Sequence, residues 1–541
     1  MRFISMTSAM IAQTVKSLTE LSQRFYLPLL VSIILLGGVL RAYNTHTKEP
    51  WFDEYCTIRG VAGVRYTLEE KTSKLYPLLN QATTDSFTTR AFPAIYTIDG
   101  VRQATLAIDR GNGFANNLLL YGWFRLWGMD MFAGYLLVVL FALVSIALAV
   151  RIVEHCVGRG ILPLSVGILM SVSPLLIQFS DREIRSYGLA VFGCLLSTYI
   201  LIRLLQEKVQ RATRTTITLG IVYAIGMSIA FFSHYLTVGI LASHFVVMCA
   251  TERRKAVWFA YLCAGGILIL LVGIWFSTGG YEAYTAMSAH SNIWRLRAQE
   301  PGSTLAPTLF NITNGAFRQL SNVLIIRTGV TTKFIGGSAL PFLAMSIASF
   351  IALLIGVYTY HVNIDSAQER NRIVLWWIAV SGSIASVVLA LVLAISSQHT
   401  LSFIFRYATF SAPFGCMLVV LSIQGMVRLQ SSILRSVSLA LIAVQIAFVP
   451  ISLVSTYSAT QESSEKNIRT HIGFLQTLSA RDTIVFQSGY DAIVANALAL
   501  PKGIGARQRV DTTVSYRVGF LMPGSQNQQP VLQVVDSVIV R

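Results

Sequence analysis

Long apolar stretches recur along the chain and are separated by short polar connections. A helix needs about 20 mainly apolar residues to cross the hydrocarbon core of a bilayer, and these stretches approach or reach that length. The pattern predicts a polytopic, all-α membrane protein with about eleven transmembrane helices. The predicted spans are Tyr26–Tyr43, Met131–Val153, Ile161–Phe179, Tyr187–Leu205, Thr216–Ser233, Leu236–Ala250, Ala256–Phe276, Ser338–Tyr360, Ile373–Ile395, Tyr407–Val427 and Val437–Ser455.

The long connection after the first span, Asn44–Asp130, has a pattern of its own. Within it, Asn116–Trp127 is aromatic and amphipathic, which predicts a helix lying in the membrane interface. The alternative is a half-buried start of the second span. Thr216–Ala250 also admits two interpretations, a tight hairpin or a single broken passage.

The C-terminal tail is less apolar than the rest of the chain. Helical patterns around Ile468–Leu478 and Ala492–Leu500 alternate with strand-like Thr483–Gln487 and Val531–Val540. We therefore predict two domains: residues 1–455 form the transmembrane domain with a structured first loop at 44–130, and residues 456–541 form a small α/β appendage.

Composition agrees with a membrane protein, because 54% of residues are hydrophobic and only 12% are charged. The formal net charge of +17 lies largely in short connections between spans, which is the placement that orients a membrane protein, so no nucleic-acid partner is expected. The basic connections contain Arg203, Lys208, Arg211 and Arg214, then Arg253, Arg254 and Lys255, then Arg370 and Arg372, then Arg428 and Arg435.

Those basic connections all fall on one side of the predicted bundle, which the positive-inside rule makes cytoplasmic. The loop Asn44–Asp130 holds nine basic and nine acidic residues and falls on the opposite side, as does the tail. We therefore expect a multi-pass protein of the inner (plasma) membrane, whose active site and C-terminus are extracytoplasmic.

The stretch Glu49-Pro50-Trp51-Phe52-Asp53-Glu54-Tyr55 places two adjacent carboxylates just beyond the first span. Aromatic residues hold a loop at the membrane interface, and a carboxylate there could act as a general base. The alternative is structural, with Asp53 capping a helix N-terminus.

Polar and charged residues gather at the predicted outer ends of the spans, and charged residues are nearly absent within them. Arginines bind phosphate oxygens and carboxylates accept protons, so this pattern suits a substrate with a lipid tail and an anionic head. A single arginine at a span end could instead extend its charge into the interface. The candidates are Arg41, Asp53, Glu54, Asp109, Asp181, Arg182, Glu183, Arg185, Tyr187, His234, Tyr235, Arg406 and Tyr407.

Motifs for nucleotide binding, serine hydrolysis and zinc catalysis are absent from the sequence. His46, Asp53 and Glu54 could bind a divalent cation such as Mg or Mn, but their spacing is not diagnostic of a metal site. No cofactor is therefore firmly expected.

At these residues the sequence resembles the polytopic GT-C glycosyltransferases, in particular the bacterial branch with the protein O-mannosyltransferases and the aminoarabinose transferase of lipid A. The resemblance covers most of the membrane region. Its motifs are Arg41, Tyr43 and Asn44 before Trp51-Phe52-Asp53-Glu54, then Asp109-Arg110-Gly111-Asn112 before Leu118–Trp127, then Ser180–Leu189 with His234-Tyr235, and finally Phe405-Arg406-Tyr407 before Pro413.

The resemblance implies transfer of a sugar from a polyprenyl-phosphate donor to an acceptor hydroxyl at the outer membrane face. Asp53 would be the general base for an inverting attack, and Glu54 would orient the acceptor or support Asp53. Arg182, Arg185 or Arg406 would hold the leaving phosphate. The acceptor is left open among a lipid, a glycan and a protein.

Two other classes of function compete with this interpretation. A lipid or polysaccharide transporter would need a polar path through the bundle, which the apolar spans do not supply. A non-catalytic scaffold for envelope assembly would use Asp53 only as a helix cap, so that Asp53→Asn would be silent.

Overall fold

A computed structural model describes most of the membrane region and parts of the first loop and the tail. The described residues are 20–43, 53–54, 57–58, 61, 97–108, 111–128, 131–180, 182–207, 214–326, 339–364, 369–460, 482–486, 515–522 and 531–539. Two predicted site residues, Asp109 and Asp181, lie outside these ranges, as do both helices predicted in the tail.

Helices dominate the described part of the chain. In chain order they are α1 (Tyr26–Ala42), α2 (Ile98–Ile108), α3 (Phe114–Trp127), α4 (Met131–Val157), α5 (Ile161–Val172), α6 (Pro174–Phe179), α7 (Tyr187–Gln206), α8 (Arg214–Ser233), α9 (Val238–Thr251), α10 (Lys255–Trp275), α11 (Tyr281–Ala298), α12 (Leu309–Val323), α13 (Ala339–Val362), α14 (Arg370–Ser397), α15 (Ala412–Val427), α16 (Ser432–Ala447) and α17 (Val449–Thr460). Short 3₁₀ turns cover Tyr235–Thr237, Thr400–Phe403 and Phe405–Ala408.

Every one of the predicted apolar spans contains helix in the structure. Seven helical segments among the described residues are long and apolar enough to cross a bilayer, and the other apolar helices are shorter. The prediction of a polytopic, all-α membrane protein is confirmed, whereas the number of crossings remains a prediction. The seven segments are Phe132–Val157, Tyr187–Gln206, Arg214–Ser233, Lys255–Thr285, Leu343–Val362, Arg370–Ser397 and Ser432–Val454.

One predicted span, Ile161–Phe179, is broken in the structure. Helix α5 ends at Val172 and α6 begins at Pro174, with the Ser173 hydroxyl accepting a hydrogen bond from the Leu176 amide. Proline has no amide hydrogen to continue a helix, and serine is a preferred N-cap residue, so the Ser-Pro pair starts a new helix here.

Helices α7 and α8 pack at very close range because each presents a glycine to the other. A Cβ built on Gly193 would lie 2.6 Å from the Ala230 amide nitrogen, and one built on Gly226 would lie 3.1 Å from the Ser197 nitrogen. On α7 the small residues Gly193 and Ser197 are four residues apart, and on α8 Gly226 and Ala230 have the same spacing. Small residues at this spacing let helix backbones approach closely within a membrane.

The described residues of the tail form a three-stranded sheet with strand order β1-β2-β3. Strands β1 (Asp482–Phe486) and β3 (Val531–Ile539) match the two strand-like patterns of the sequence, and β2 (Ser515–Met522) was missed. Strand β2 pairs parallel with β1 and antiparallel with β3, and its register shifts between Val518 and Gly519. Gly519 and the register shift beside it interrupt the alternation of polar and apolar side chains by which a strand is recognised in a sequence.

Contacts divide the chain into two units. The first unit takes its described residues from Met1–Tyr43, Tyr135–Arg182 and Ser186–Val454, and contains most of the apolar helices. The second takes them from Asn44–Gly134, Glu183–Arg185 and Ser455–Arg541. The two units are described separately below, and the predicted domain boundary at residue 455 remains a prediction.

Candidate active site

The two adjacent carboxylates lie on a helical turn of the second unit. Asp53, Glu54, Thr57, Ile58 and Val61 all have α-helical backbone conformation. Helical spacing puts Glu54, Ile58 and Val61 on one face, and all three are buried. Asp53 is half-buried and lies within the turn, where its backbone geometry is helical and differs from that of an N-cap residue.

Glu54 is fully buried and binds a distant part of the chain. Its Oε1 accepts a 2.8 Å hydrogen bond from the backbone amide of Ile184. Ile184 is also buried, and its side chain fills the space left open at Gly134, where an added Cβ would lie 2.7 Å from Ile184 Cδ1. Glu54 therefore fixes the segment Glu183–Arg185 against the helical turn that carries Asp53.

Arg185 binds the turn that carries Asp53. Its Nη1 donates to the backbone carbonyl of Asp53 at 3.0 Å and to the Thr57 hydroxyl at 2.8 Å. The Thr57 hydroxyl in turn donates to the same Asp53 carbonyl at 3.1 Å. These three residues form a hydrogen-bonded cluster, and both Arg185 and Thr57 are buried within it.

Two more of the predicted arginines bind backbone carbonyls, both in the first unit. Arg182 Nη2 donates to the Tyr43 carbonyl at 2.8 Å, just beyond the end of α1. Arg41 is completely buried and donates to the carbonyls of Met170 and Ser171 at 3.0 and 2.9 Å. These carbonyls belong to the last turn of α5, so Arg41 satisfies acceptors that a helix end leaves open.

His234 lies at the centre of an aromatic cluster in the first unit. Its ring stacks on Tyr187 with a centroid distance of 5.2 Å, and lies 4.9 Å from Phe410 and 5.7 Å from Tyr407. The Leu236 amide donates to His234 Nδ1 at 3.3 Å. A neutral imidazole that accepts at Nδ1 carries its proton on Nε2, so the backbone sets the tautomer of this ring.

The neighbouring predicted residues lie on turns beside this cluster. Tyr235 accepts a 2.9 Å hydrogen bond from Trp275 Nε1 at its hydroxyl, where α10 ends. Arg406 and Tyr407 both belong to the 3₁₀ turn Phe405–Ala408 and are half-buried. The structure thus brings Tyr187, His234 and Tyr407 together.

The remaining candidates are Asn112 and the residues considered for a divalent cation. Asn112 is half-buried in the turn between α2 and α3. Of the grouping considered for a divalent cation, His46 lies outside the described residues, and Glu54 is already bound to the Ile184 amide. Among the residues that the structure describes, no three His, Cys, Asp or Glu side chains are grouped to hold a metal ion. The divalent cation remains a prediction.

Three residues of these clusters were missed by the sequence reasoning. Thr57 lies one helical turn after Asp53, so its proximity could have been deduced once a helix was predicted there. Phe410 follows the Phe405-Arg406-Tyr407 motif closely and has the residue type of an aromatic cluster. Trp275 offers no such signal, because its contact with Tyr235 depends on how α10 packs.

Comparisons with known proteins add a structural likeness only. No protein-family model matches the chain. No curated protein matches it either.

Solved structures of an oligosaccharyltransferase from Archaeoglobus fulgidus resemble the chain. AglB in complex with an inhibitory peptide and a dolichol-phosphate gives a TM-score of 0.47 at 11% identity, covering 89% of this chain and 65% of that one. The oligosaccharyltransferase tethered with an acceptor peptide containing the NVT sequon gives 0.42 at 10% identity, covering 89% and 64%. Its complex with Zn and sulfate gives 0.39 at 11% identity, covering 87% and 62%.

This chain therefore spans 62–65% of the length of those structures. At TM-scores and identities this low the likeness does not define the fold. The function proposed next rests on the residues of this chain.

Proposed function

We propose that this chain is an integral membrane glycosyltransferase of the GT-C type. It transfers a sugar from a polyprenyl-phosphate donor to an acceptor hydroxyl at the extracytoplasmic face of the inner membrane. The acceptor is a lipid, a glycan or a protein. The proposal joins the resemblance of the membrane motifs to the geometry around Asp53.

The observation that carries the proposal is the hydrogen-bonded cluster at Asp53. Arg185 and Thr57 hold the backbone carbonyl of Asp53, and the neighbouring Glu54 is fixed on the Ile184 amide. Asp53 itself stays half-buried on this held turn. A carboxylate on a rigid, partly accessible turn is well suited to accept a proton from a bound substrate, because a general base must be held within hydrogen-bond reach of that proton.

The proposed reaction is a displacement at the anomeric carbon. The acceptor hydroxyl oxygen forms the new glycosidic bond while the bond from the anomeric carbon to the phosphate oxygen breaks, with inversion. Asp53 takes the hydroxyl proton, and the polyprenyl phosphate leaves with the bonding electron pair. Binding that stabilises this leaving charge lowers the barrier more than binding of the ground state.

Arg406 is the arginine that we assign to the leaving phosphate. Its side chain is half-buried, whereas the side chains of Arg182 and Arg185 are buried. His234 would add a neutral donor through Nε2, because Nδ1 accepts from the Leu236 amide. Both are outer-face residues by the charge pattern, which also makes the C-terminal tail extracytoplasmic.

The test compares wild type with Asp53→Asn in nanodiscs. Each protein is given a panel of radiolabelled polyprenyl-phosphate sugars and extracted envelope as acceptor, and label leaving the donor is followed. We expect Asp53→Asn to bind donor normally and to lose about 10²- to 10⁴-fold in rate, which is the usual contribution of a general base.

Asp99→Asn is the matched control, since it makes the same change in the same loop. Asp99 is exposed on α2 and pairs with Arg102 at 2.9 Å. Its variant should transfer at the wild-type rate. Equal transfer by wild type and Asp53→Asn would remove Asp53 from catalysis. Absence of transfer by wild type from every donor would reject the enzyme and favour the transporter or scaffold.

A further inference from the structure

Two side chains, those of Arg185 and Thr57, hold the backbone carbonyl of Asp53. Its carbonyl oxygen accepts two hydrogen bonds, from Arg185 Nη1 at 3.0 Å and from the Thr57 hydroxyl at 3.1 Å. The donors are themselves joined, because Arg185 Nη1 also donates to Thr57 Oγ1 at 2.8 Å. The sequence separation between Asp53 and Arg185 is 132 residues, so this contact fixes the turn from outside the local chain.

We infer that Thr57 and Arg185 are positioning residues that fix the direction of the Asp53 carboxylate. The inference rests on the proposed function for the chemistry that Asp53 performs. It also changes the role of Arg185: the guanidinium holds the protein backbone and does not bind the donor phosphate. Thr57 is absent from every motif of the sequence resemblance.

Burial and charge both favour this role. Thr57 is 1% exposed and Arg185 is 8% exposed, so neither offers much surface to a lipid-linked donor. A buried guanidinium needs acceptors, and the geometry supplies a carbonyl and a hydroxyl at normal hydrogen-bond lengths. Both hydrogen bonds leave one guanidinium nitrogen, Nη1, which lies one bond farther along its side chain than the ammonium of a lysine does.

Glu54 completes the arrangement from the other side of the same helical turn. It holds the Ile184 amide at 2.8 Å, and Ile184 is the residue before Arg185. Two consecutive residues of one segment are thus bound by two consecutive residues of the turn. A small displacement of either partner would rotate Asp53, and small misplacements of a reacting group are costly in rate.

Thr57→Val is the primary variant, because valine keeps the shape of threonine and removes the hydroxyl. Thr57→Ser is the matched control, which keeps the hydroxyl. We expect Thr57→Val to lower kcat at least about tenfold, because the hydroxyl's two hydrogen bonds, to the Asp53 carbonyl and from Arg185, are lost together, with the donor Kd unchanged. Thr57→Ser should stay close to wild type in both quantities.

Arg185→Lys separates positioning from phosphate binding. Lysine keeps the positive charge, so a phosphate contact would be partly retained. Its ammonium reaches one bond less far than Nη1 and would not meet the Asp53 carbonyl and the Thr57 hydroxyl at their present distances. Positioning predicts a lower kcat at unchanged donor Kd. A raised donor Kd with kcat unchanged at saturating donor would overturn the inference and return Arg185 to the phosphate.

A measurement that needs no activity keeps this test separate from that of the proposed function. Hydrogen exchange is followed by mass spectrometry on the peptide that contains the Ile184 amide. Thr57→Val should speed exchange there relative to Thr57→Ser, because the turn that carries Glu54 loosens. Equal exchange in the two variants would reject the cluster as a structural unit, whether or not the wild type transfers any sugar.

Discussion

At the scale of single residues, Asp53 and Glu54 are neighbours with different surroundings. Glu54 is completely buried and its carboxylate binds the Ile184 amide, whereas Asp53 is half-buried and is held through its main chain. The helical turn explains the difference, because consecutive helical residues point about 100° apart. A pair that looks equivalent in sequence therefore divides into a structural carboxylate and the proposed base.

The sequence singles out Asp53 and Glu54 together and could not predict that their surroundings differ. Glu54 accepts a hydrogen bond from a residue 130 positions later in the chain, and no pattern within Trp51–Tyr55 predicts that contact. The same holds for Arg41, whose basic charge at a span end is compatible with a substrate contact. Its position on the α5 carbonyls depends on how two helices pack, which a single sequence does not reveal.

His399 gives a pH dependence at the predicted outer face. It is buried in the connection after α14, where its Nε2 lies 2.9 Å from the Ser291 hydroxyl and its Nδ1 3.5 Å from the Ser397 hydroxyl. Burial lowers the pKa of His399 below its usual 6.5. The unfolded chain then binds a proton that the folded chain resists, so stability is complete above the unfolded pKa and is lost as pH falls below it.

We expect the apparent Tm in detergent to fall between about pH 7 and about pH 5, with a shallower slope for His399→Gln. The glutamine keeps hydrogen-bonding capacity for Ser291 and cannot titrate. His155 is half-buried at the end of α4, and His155→Gln is the control for a histidine-to-glutamine change in another element. Identical slopes for wild type and His399→Gln would show that this ring does not carry the effect.

At the scale of elements, hydropathy located the membrane helices because burial in lipid demands apolar side chains on every face. Hydropathy did not locate the points where a helix is broken within a span, although Ser173 and Pro174 mark one such break in the sequence. Helix α3 follows its amphipathic prediction. Its buried positions include Asn116 and Asn117, while Leu126 and Trp127 are 78% and 67% exposed. Leu120 and Phe124 are buried as well. An exposed apolar end is expected of a helix at a membrane interface, which remains a prediction.

The contact between α7 and α8 can be tested at Gly193. Any side chain there would meet the backbone of Ala230, which cannot move away as a flexible side chain could. Gly193→Leu should therefore destabilise the protein by at least about 1–3 kcal/mol, the usual cost of overpacking. Thermal unfolding in detergent would measure it as a lower Tm.

Gly265 is the matched control, because it also lies in a membrane helix and an added Cβ would meet nothing within 4 Å. Gly265→Leu should unfold close to the wild-type temperature. If both variants unfolded together, helix propensity or insertion would explain the effect, and the close packing of α7 on α8 would not be needed.

At the scale of the whole molecule, orientation rests on the basic connections. Several of these charges are paired in the structure: Arg254 and Arg370 both bind the carboxylate of the buried Glu252, while Arg253 and Lys255 are exposed. Burial alone would raise the pKa of Glu252, but hydrogen bonds from Arg254 and Arg253 outweigh it and hold that pKa below its usual value. The positive-inside rule counts basic residues and gives little weight to acidic ones, so these pairs do not weaken the orientation.

That orientation predicts opposite labelling of two engineered cysteines. Glu300 lies in the predicted outer connection between α11 and α12, and Lys255 begins α10 on the predicted cytoplasmic side; both are exposed. In a background without native cysteines, a membrane-impermeant maleimide should label Glu300→Cys in intact cells and label Lys255→Cys only after permeabilisation. The reverse pattern would put the loop that carries Asp53 in the cytoplasm. A polyprenyl-phosphate sugar presented at the outer face could not then reach it, so the proposed function would fail together with the topology.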